Sequence, residues 1–106
     1  MREATVLFKG EKAGTLIQHD DASFTYIYTN DWMLNDKKPN ISLTLDKKNK
    51  EYHSQFLFPF FYNMLPEGTN KLALCKQNRI DQNDYFGLLI TVAGKDTIGA
   101  ITIVKQ

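Results

Sequence analysis

Few side chains in this sequence are of types that do chemistry, and their spacing assembles no recognised site. The soft metal ligands are His19, His53 and Cys75. No C-x-x-C or H-x-x-x-H pair occurs among them, so no metal site is expected. Cys75 falls on the apolar stripe of an expected helix, where a thiol packs as a small hydrophobe and is inert. A Cys75–His53 nucleophile pair is the reactive alternative, and that burial disfavours it. Gly94-Lys95-Asp96-Thr97 has the look of the end of a phosphate-binding loop, but the glycine required five residues earlier is Leu89, and the preceding residues read as a helix instead of a strand. A kinase catalytic loop and a metal-binding Asp-Phe-Gly are both missing from the sequence. The chain is therefore expected to bind no cofactor and to transfer no phosphate.

What remains is aromatic. Phe24, Tyr26 and Tyr28 alternate along one segment and would suit base stacking. Without a basic groove beside them, a packed sheet face is the better reading. Trp32 lies in a polar connection and is either an interface anchor or a plug at the end of the sheet. From Phe56 to Met64, every position but Asn63 is apolar, proline or aromatic. A short helix in a small domain cannot turn all its sides inward. Some of Phe56, Leu57, Phe60, Tyr62 and Met64 should reach the surface, and a contiguous apolar patch there implies a partner.

The whole chain sets bounds on these readings. Its 106 residues suffice for one hydrophobic core. Apolar residues make up 42% and aromatic ones 12%, which fits a globular domain and not a disordered one. Thirteen basic residues against twelve acidic ones leave a net charge of +1, which gives no sign of a nucleic-acid footprint. The densest basic cluster, Lys47-Lys48-Asn49-Lys50, sits beside Asp46 and Glu51 and reads as a solvated turn. No apolar run approaches the ~20 residues of a membrane helix, and the N-terminus lacks the apolar region of a signal peptide. With one cysteine an internal disulfide is impossible. A cytoplasmic protein with neither nucleic acid nor membrane as a direct partner is the expectation.

Element signals run in order along the chain. Ala4 to Phe8 predicts a strand, and Lys9 to Lys12 the turn into a second strand over Gly14 to Gln18. His19-Asp20-Asp21 is another turn. Ser23 to Thr29 alternates with a period of two and predicts a third strand. Asn30 to Asn40 reads as an irregular connection. Ile41, Leu43 and Leu45, alternating with Ser42, Thr44 and Asp46, predict a fourth strand with one buried face. Pro59 suits the first position of a helix that Pro66 and Gly68 end after about two turns. Thr69 to Asn78 predicts a second helix with Leu72 and Cys75 inward. Asp81 followed by Asp84 is an acidic variant of a capping box. It opens a third helix that buries Phe86, Leu89 and Val92 or Ala93 and is capped by Gly94. Ile98 to Val104 predicts a last strand. The result is a single α+β domain over 1–106, with a mostly antiparallel sheet of about five strands and two or three short helices.

Across that frame, certain residues recur in an ordered pattern. They begin with the hairpin around Gly10 and Gly14, Tyr28, Trp32 and Ser42-Leu43-Thr44-Leu45. They continue with Phe60-Phe61, Asn63, Leu65-Pro66-Glu67-Gly68, Asp84, Phe86, Leu88-Leu89, Gly94, Asp96 and Gly99-Ala100. In this order they resemble the N-terminal subdomain of HipA-type toxin kinases, over nearly the whole chain. The family's kinase core would begin about where this sequence stops. The chain thus resembles the split form of the system, in which a HipS-like small protein accompanies a shortened HipT kinase and a DNA-binding HipB.

The resemblance implies a non-enzymatic antitoxin-like role. Its expected partner is a HipT-like serine/threonine kinase toxin, which it would inhibit, with a HipB-like DNA-binding protein as a further member of the complex. An activating or substrate-positioning subunit of a split kinase is the alternative. The expected partner-binding residues are Phe60, Tyr62, Asn63, Met64, Leu65, Pro66, Glu67 and Gly68, together with Trp32. A short, proline-rigidified turn behind aromatic anchors loses little entropy on docking. Because the single tryptophan is at position 32, that turn can offer only Phe, Tyr, Met and Leu as its plug.

Overall fold

Lys9 and Gly10 both take left-handed backbone angles, φ 49° and 85°, and so form a two-residue hairpin turn that matches the natural twist of paired strands. The turn joins β1 (Arg2–Phe8) to β2 (Glu11–Gln18). The computed structural model describes residues 1–93 and 100–106. The expected Gly94 cap, the Gly94–Thr97 segment and the Ile98–Gly99 start of the last strand lie outside the described residues. After β2 come β3 (Phe24–Tyr28), α1 (Asn30–Leu34), β4 (Glu51–Ser54), α2 (Pro59–Tyr62), α3 (Gly68–Asn78), α4 (Tyr85–Ala93) and β5 (Ile101–Lys105). The five strands form one antiparallel sheet in the order β4-β3-β2-β1-β5, so the last strand returns to pair with the first. The fold class is the expected α+β.

Register explains the core. Ala4 opposes Leu16, Leu16 opposes Tyr26, and Val6 lies between Gly14 and Ile103. These residues are buried on one face of the sheet, beneath Phe61 of α2 and Phe86 and Leu89 of α4. The Tyr26 and Tyr28 rings meet edge-on at 4.9 Å, and Tyr26 also meets Phe61 at 6.0 Å. The aromatic alternation read from the sequence is therefore a packed face. A β-bulge shifts the register between Val6 and Leu7 and gives β2 an extra residue, Ala13, so Ala13 and Gly14 are both buried. A Cβ on Gly14 would lie 2.4 Å from both the Tyr26 hydroxyl and the Ile27 carbonyl. Only glycine fits beneath that ring.

The expected strand over Ile41 to Asp46 does not form. Ile41 and Leu45 are buried, but Leu43 is 96% exposed, and the segment is a chain of bends. Side-chain hydroxyls, one local and one distant, take up the backbone groups a strand would need. Ser42 Oγ accepts from the Thr44 and Leu45 amides, each at 3.1 Å. The Tyr28 hydroxyl donates to the Leu45 carbonyl and accepts from the Ile41 amide. Serine hydroxyls compete with ladders in this way. The fourth strand is Glu51–Ser54 instead, paired with β3 from Phe24↔Ser54 to Ile27↔Glu51.

Asn30 to Leu34 is likewise not irregular but a short helix, capped by the Thr29 hydroxyl, which accepts from the Trp32 amide at 3.2 Å. At the start of α4, the last of the helices expected from the sequence, the cap falls on Asp84 and not on Asp81. Asp84 Oδ1 accepts from the Gly87 amide at 3.0 Å, while Asp81 closes a turn by accepting from the Asn83 amide at 2.8 Å.

Candidate docking surface

Pro59 opens α2 at a position where its missing N–H costs nothing. The chain leaves α2 through successive tight turns. The Asn63 amide donates to the Pro59 carbonyl at 2.9 Å, Met64 to Phe61 at 3.0 Å and Leu65 to Tyr62 at 3.0 Å. Pro66 then stops the helical path, and Gly68 enters α3 with φ 58°, a left-handed angle that suits glycine. Backbone hydrogen bonds thus run through the expected segment as far as Leu65, and Pro66 to Gly68 lead from there into α3.

The turn divides by face. Phe61 is fully buried and meets Phe58 and Phe60 edge-on. Phe60, Met64 and Leu65 are partly buried against the core, and Pro66 is half-buried. Asn63, Glu67 and Gly68 are exposed. Tyr62 is 47% exposed, and its ring lies edge-on to Tyr85 at 5.7 Å. The Lys71 ammonium sits 5.2 Å over the Tyr85 ring. Phe56 is the most exposed aromatic, at 77%.

Tyr85 owes its position to the start of α4. There Arg2 Nη1 pairs with Asp84 Oδ1 at 2.7 Å, and the Arg2 guanidinium stacks 4.7 Å from the Phe86 ring. A Cβ on Gly87 would lie 2.4 Å from the Asp84 carboxylate, so the missing side chain makes room for the pair. Burial pushes the Asp84 carboxyl up, but the Arg2 hydrogen bond, the Gly87 amide and the Arg2 charge outweigh it and hold the group below its usual range. This clamp ties the N-terminal strand to the helix that backs Tyr62.

Two sequence expectations change sides. Trp32, expected as a partner anchor, is buried: its ring packs 5.5 Å from Phe8, and its indole N–H donates to the Pro39 carbonyl at 2.9 Å. It contacts the 35–40 connection and is not brought together with the α2 turn. Of the two readings left open for Trp32, the plug is what the fold shows. Leu72, expected inward, is half exposed on α3, while Cys75 on the same helix is buried. Helix α3 is polar on most sides, so its few apolar residues gave no reliable inward stripe. A missed signal was Leu43, whose strand-like spacing concealed its exposure.

His19 and His53 meet on one hydroxyl: His19 Nε2 lies 2.7 Å from Thr25 Oγ1. His53 Nδ1 shares a hydrogen bond of 2.8 Å with the Thr25 hydroxyl, and its Nε2 faces Glu51 at 3.3 Å. Among the described residues no cluster of three or more His, Cys, Asp or Glu could hold a metal ion, and no described helix is long and apolar enough to cross a membrane.

The five-stranded antiparallel sheet backed by short helices matches the fold of a known family of N-terminal domains. Residues 4–104 match the family model of the HipA N-terminal domain, and the chain belongs to that family. A solved N-terminal domain of HipA toxin superposes with a TM-score of 0.74 at 28% identity, covering 100% of this chain and 93% of that one. An uncharacterized protein of Haemophilus influenzae is 30% identical over 100% of this chain and 94% of its own length. The putative kinase Y4dM of Sinorhizobium fredii is 29% identical over 97% of this chain, which spans only 27% of that kinase.

Proposed function

We propose that this protein docks on a HipA-type serine/threonine kinase of the HipT kind and holds it inactive, as the antitoxin-like subunit of a toxin–antitoxin system. A HipB-like DNA-binding protein is the third member of that assembly. One observation carries the proposal: nearly the whole chain aligns with about a quarter of a much longer putative kinase. A domain of this kind has a natural seat on a kinase body. The H. influenzae relative consists of little besides such a domain.

The Phe60–Gly68 turn is the contact the geometry favours. Its backbone is already bonded as far as Leu65 and then stiffened by Pro66, so docking orders little that is free. Tyr62 combines a rigid aromatic body with a polar tip and is half exposed, which is the chemistry of interface anchors. Met64, Leu65 and Pro66 support it from the core side, and Asn63, Glu67 and Gly68 form a polar edge. Inhibition follows if the turn enters the cleft between the kinase lobes and stabilises the closed-off state over the active one.

The test is phosphorylation by the cognate kinase, measured with and without this protein, together with binding by calorimetry. A one-to-one complex with suppressed activity is expected, as is relief of kinase-induced growth arrest on co-expression. Tyr62→Ala should melt close to wild type and weaken binding by roughly thirtyfold, the equivalent of ~2 kcal/mol. A kinase that is unaffected or more active in the complex would sink the inhibitory role and favour an activating accessory subunit.

A further inference from the structure

We infer that the 35–50 loop is a second docking element, which inserts Leu43 into an apolar, acid-rimmed pocket on the same kinase partner. The inference rests on the kinase-docking reading above. Leu43 is 96% exposed, the most exposed large hydrophobic residue among those described. A lone surface leucine on a mobile loop would need no explanation. This one stands on a loop fastened at every side. Ile41 and Leu45 flank it as buried plugs. The Ser42 hydroxyl closes a tight turn beneath it. The Lys47 ammonium donates to the Asn35 and Lys38 carbonyls at 2.7 and 2.9 Å, and the Lys47 amide donates to Asn40 Oδ1 at 2.8 Å. The Tyr52 hydroxyl reaches the Asp46 carbonyl at 2.9 Å. The fold thus holds one leucine outward at little entropic cost to a binding event.

Charge identifies the kind of pocket. Residues 35–50 carry five lysines and two aspartates, a net +3, so the rest of the chain carries −2 beneath the overall +1. The near-neutral total conceals a cationic loop around an apolar tip. Lys47 is occupied by carbonyls, Lys38 pairs with Glu11 at 2.5 Å and Lys50 donates to Asn30 at 2.5 Å. Lys37 and Lys48 are exposed, Lys48 close enough to Asp46 for its charge to be felt there, and both can meet a partner's carboxylates. Such complementarity steers association and sets orientation, while the apolar tip governs dissociation.

The experiment measures association and dissociation of the full chain with the HipA-type kinase of the same genome, at low and at raised salt. Leu43→Ser should melt like wild type and lose about tenfold in affinity, mainly through faster dissociation. Lys37→Glu with Lys48→Glu should slow association several-fold and flatten its salt dependence. If Leu43→Ser binds as wild type while Tyr62→Ala is weakened, the loop plays no part and the docking reading survives alone. If the wild-type chain does not bind the kinase at all, both fall. Binding of wild type to anionic vesicles, lost in Leu43→Ser with kinase affinity unchanged, would overturn the assignment in favour of a membrane.

Discussion

Tyr26 and Tyr28 are two residues apart on β3, point to the same side and are both fully buried, yet loss of the hydroxyl should have opposite effects at the two positions. The Tyr28 hydroxyl donates to the Leu45 carbonyl and accepts from the Ile41 amide at 3.1 Å. Tyr28→Phe strands both backbone groups in the core, at ~1–3 kcal/mol each. A total near ~3 kcal/mol should lower the melting temperature by roughly 10–20 °C for a domain of this size. The Tyr26 hydroxyl, in contrast, has no hydrogen-bond partner among the described residues. It has given up its hydration without compensation, so Tyr26→Phe recovers about 1 kcal/mol. The void left by one oxygen takes back only a few tenths of that. Chemical denaturation of both variants beside wild type decides the matter, with the denaturant slope checked for constancy. The reasoning fails if Tyr26→Phe is destabilising by more than ~1 kcal/mol, or if Tyr28→Phe is neutral.

Alkali should also expose this pair. Burial pushes the Tyr28 phenol up to about 12 and Tyr26 further still. Below the ordinary value of 10.0 both states keep these protons and the stability is intact. Between there and the folded values the unfolded chain releases protons that the folded chain holds, so stability falls by ~1.4 kcal/mol per pH unit for each tyrosine. Urea midpoints measured from pH 9 to pH 11 should drop accordingly, and less steeply in either phenylalanine variant. Asp84→Ala removes a helix cap and the Arg2 pair and should cost ~1–2 kcal/mol at neutral pH. Because that carboxyl is depressed in the folded state, its contribution is present above the usual 3.8 and fades as pH falls below it, so the gap between wild type and variant should narrow in acid melts. Arg79 ends α3 in a left-handed conformation, φ 54° and ψ 47°. Arg79→Gly should therefore raise stability by ~0.5–1 kcal/mol in thermal unfolding, and no gain would mean that its side chain contributes contacts of equal worth.

The sequence by itself determined the elements whose causes are local. Lys9-Gly10 made the hairpin, Pro59 opened the aromatic helix (which ends at Tyr62, a turn earlier than Pro66 and Gly68 implied), and the Phe24-Tyr26-Tyr28 alternation marked a buried sheet face. The ordered motifs pointed to the family. In each case the deciding physics lies within a few residues: left-handed turn angles, a missing amide, a period of two. Tertiary structure alone decided what depends on a distant neighbour. Ile41, Leu43 and Leu45 alternate as a strand should, but a strand needs a partner for its backbone. The Tyr28 hydroxyl, 13 residues from Ile41 and 17 from Leu45, took those groups and let Glu51–Ser54 occupy the sheet edge. That exchange turned Leu43 outward. Trp32 looked like an anchor because its neighbours are polar, yet Phe8 from β1 and the Pro39 carbonyl from the far end of the same connection hold it in the core. Exposure is set by what covers a residue, and for Trp32, Leu43 and Leu72 neighbours along the chain did not reveal it.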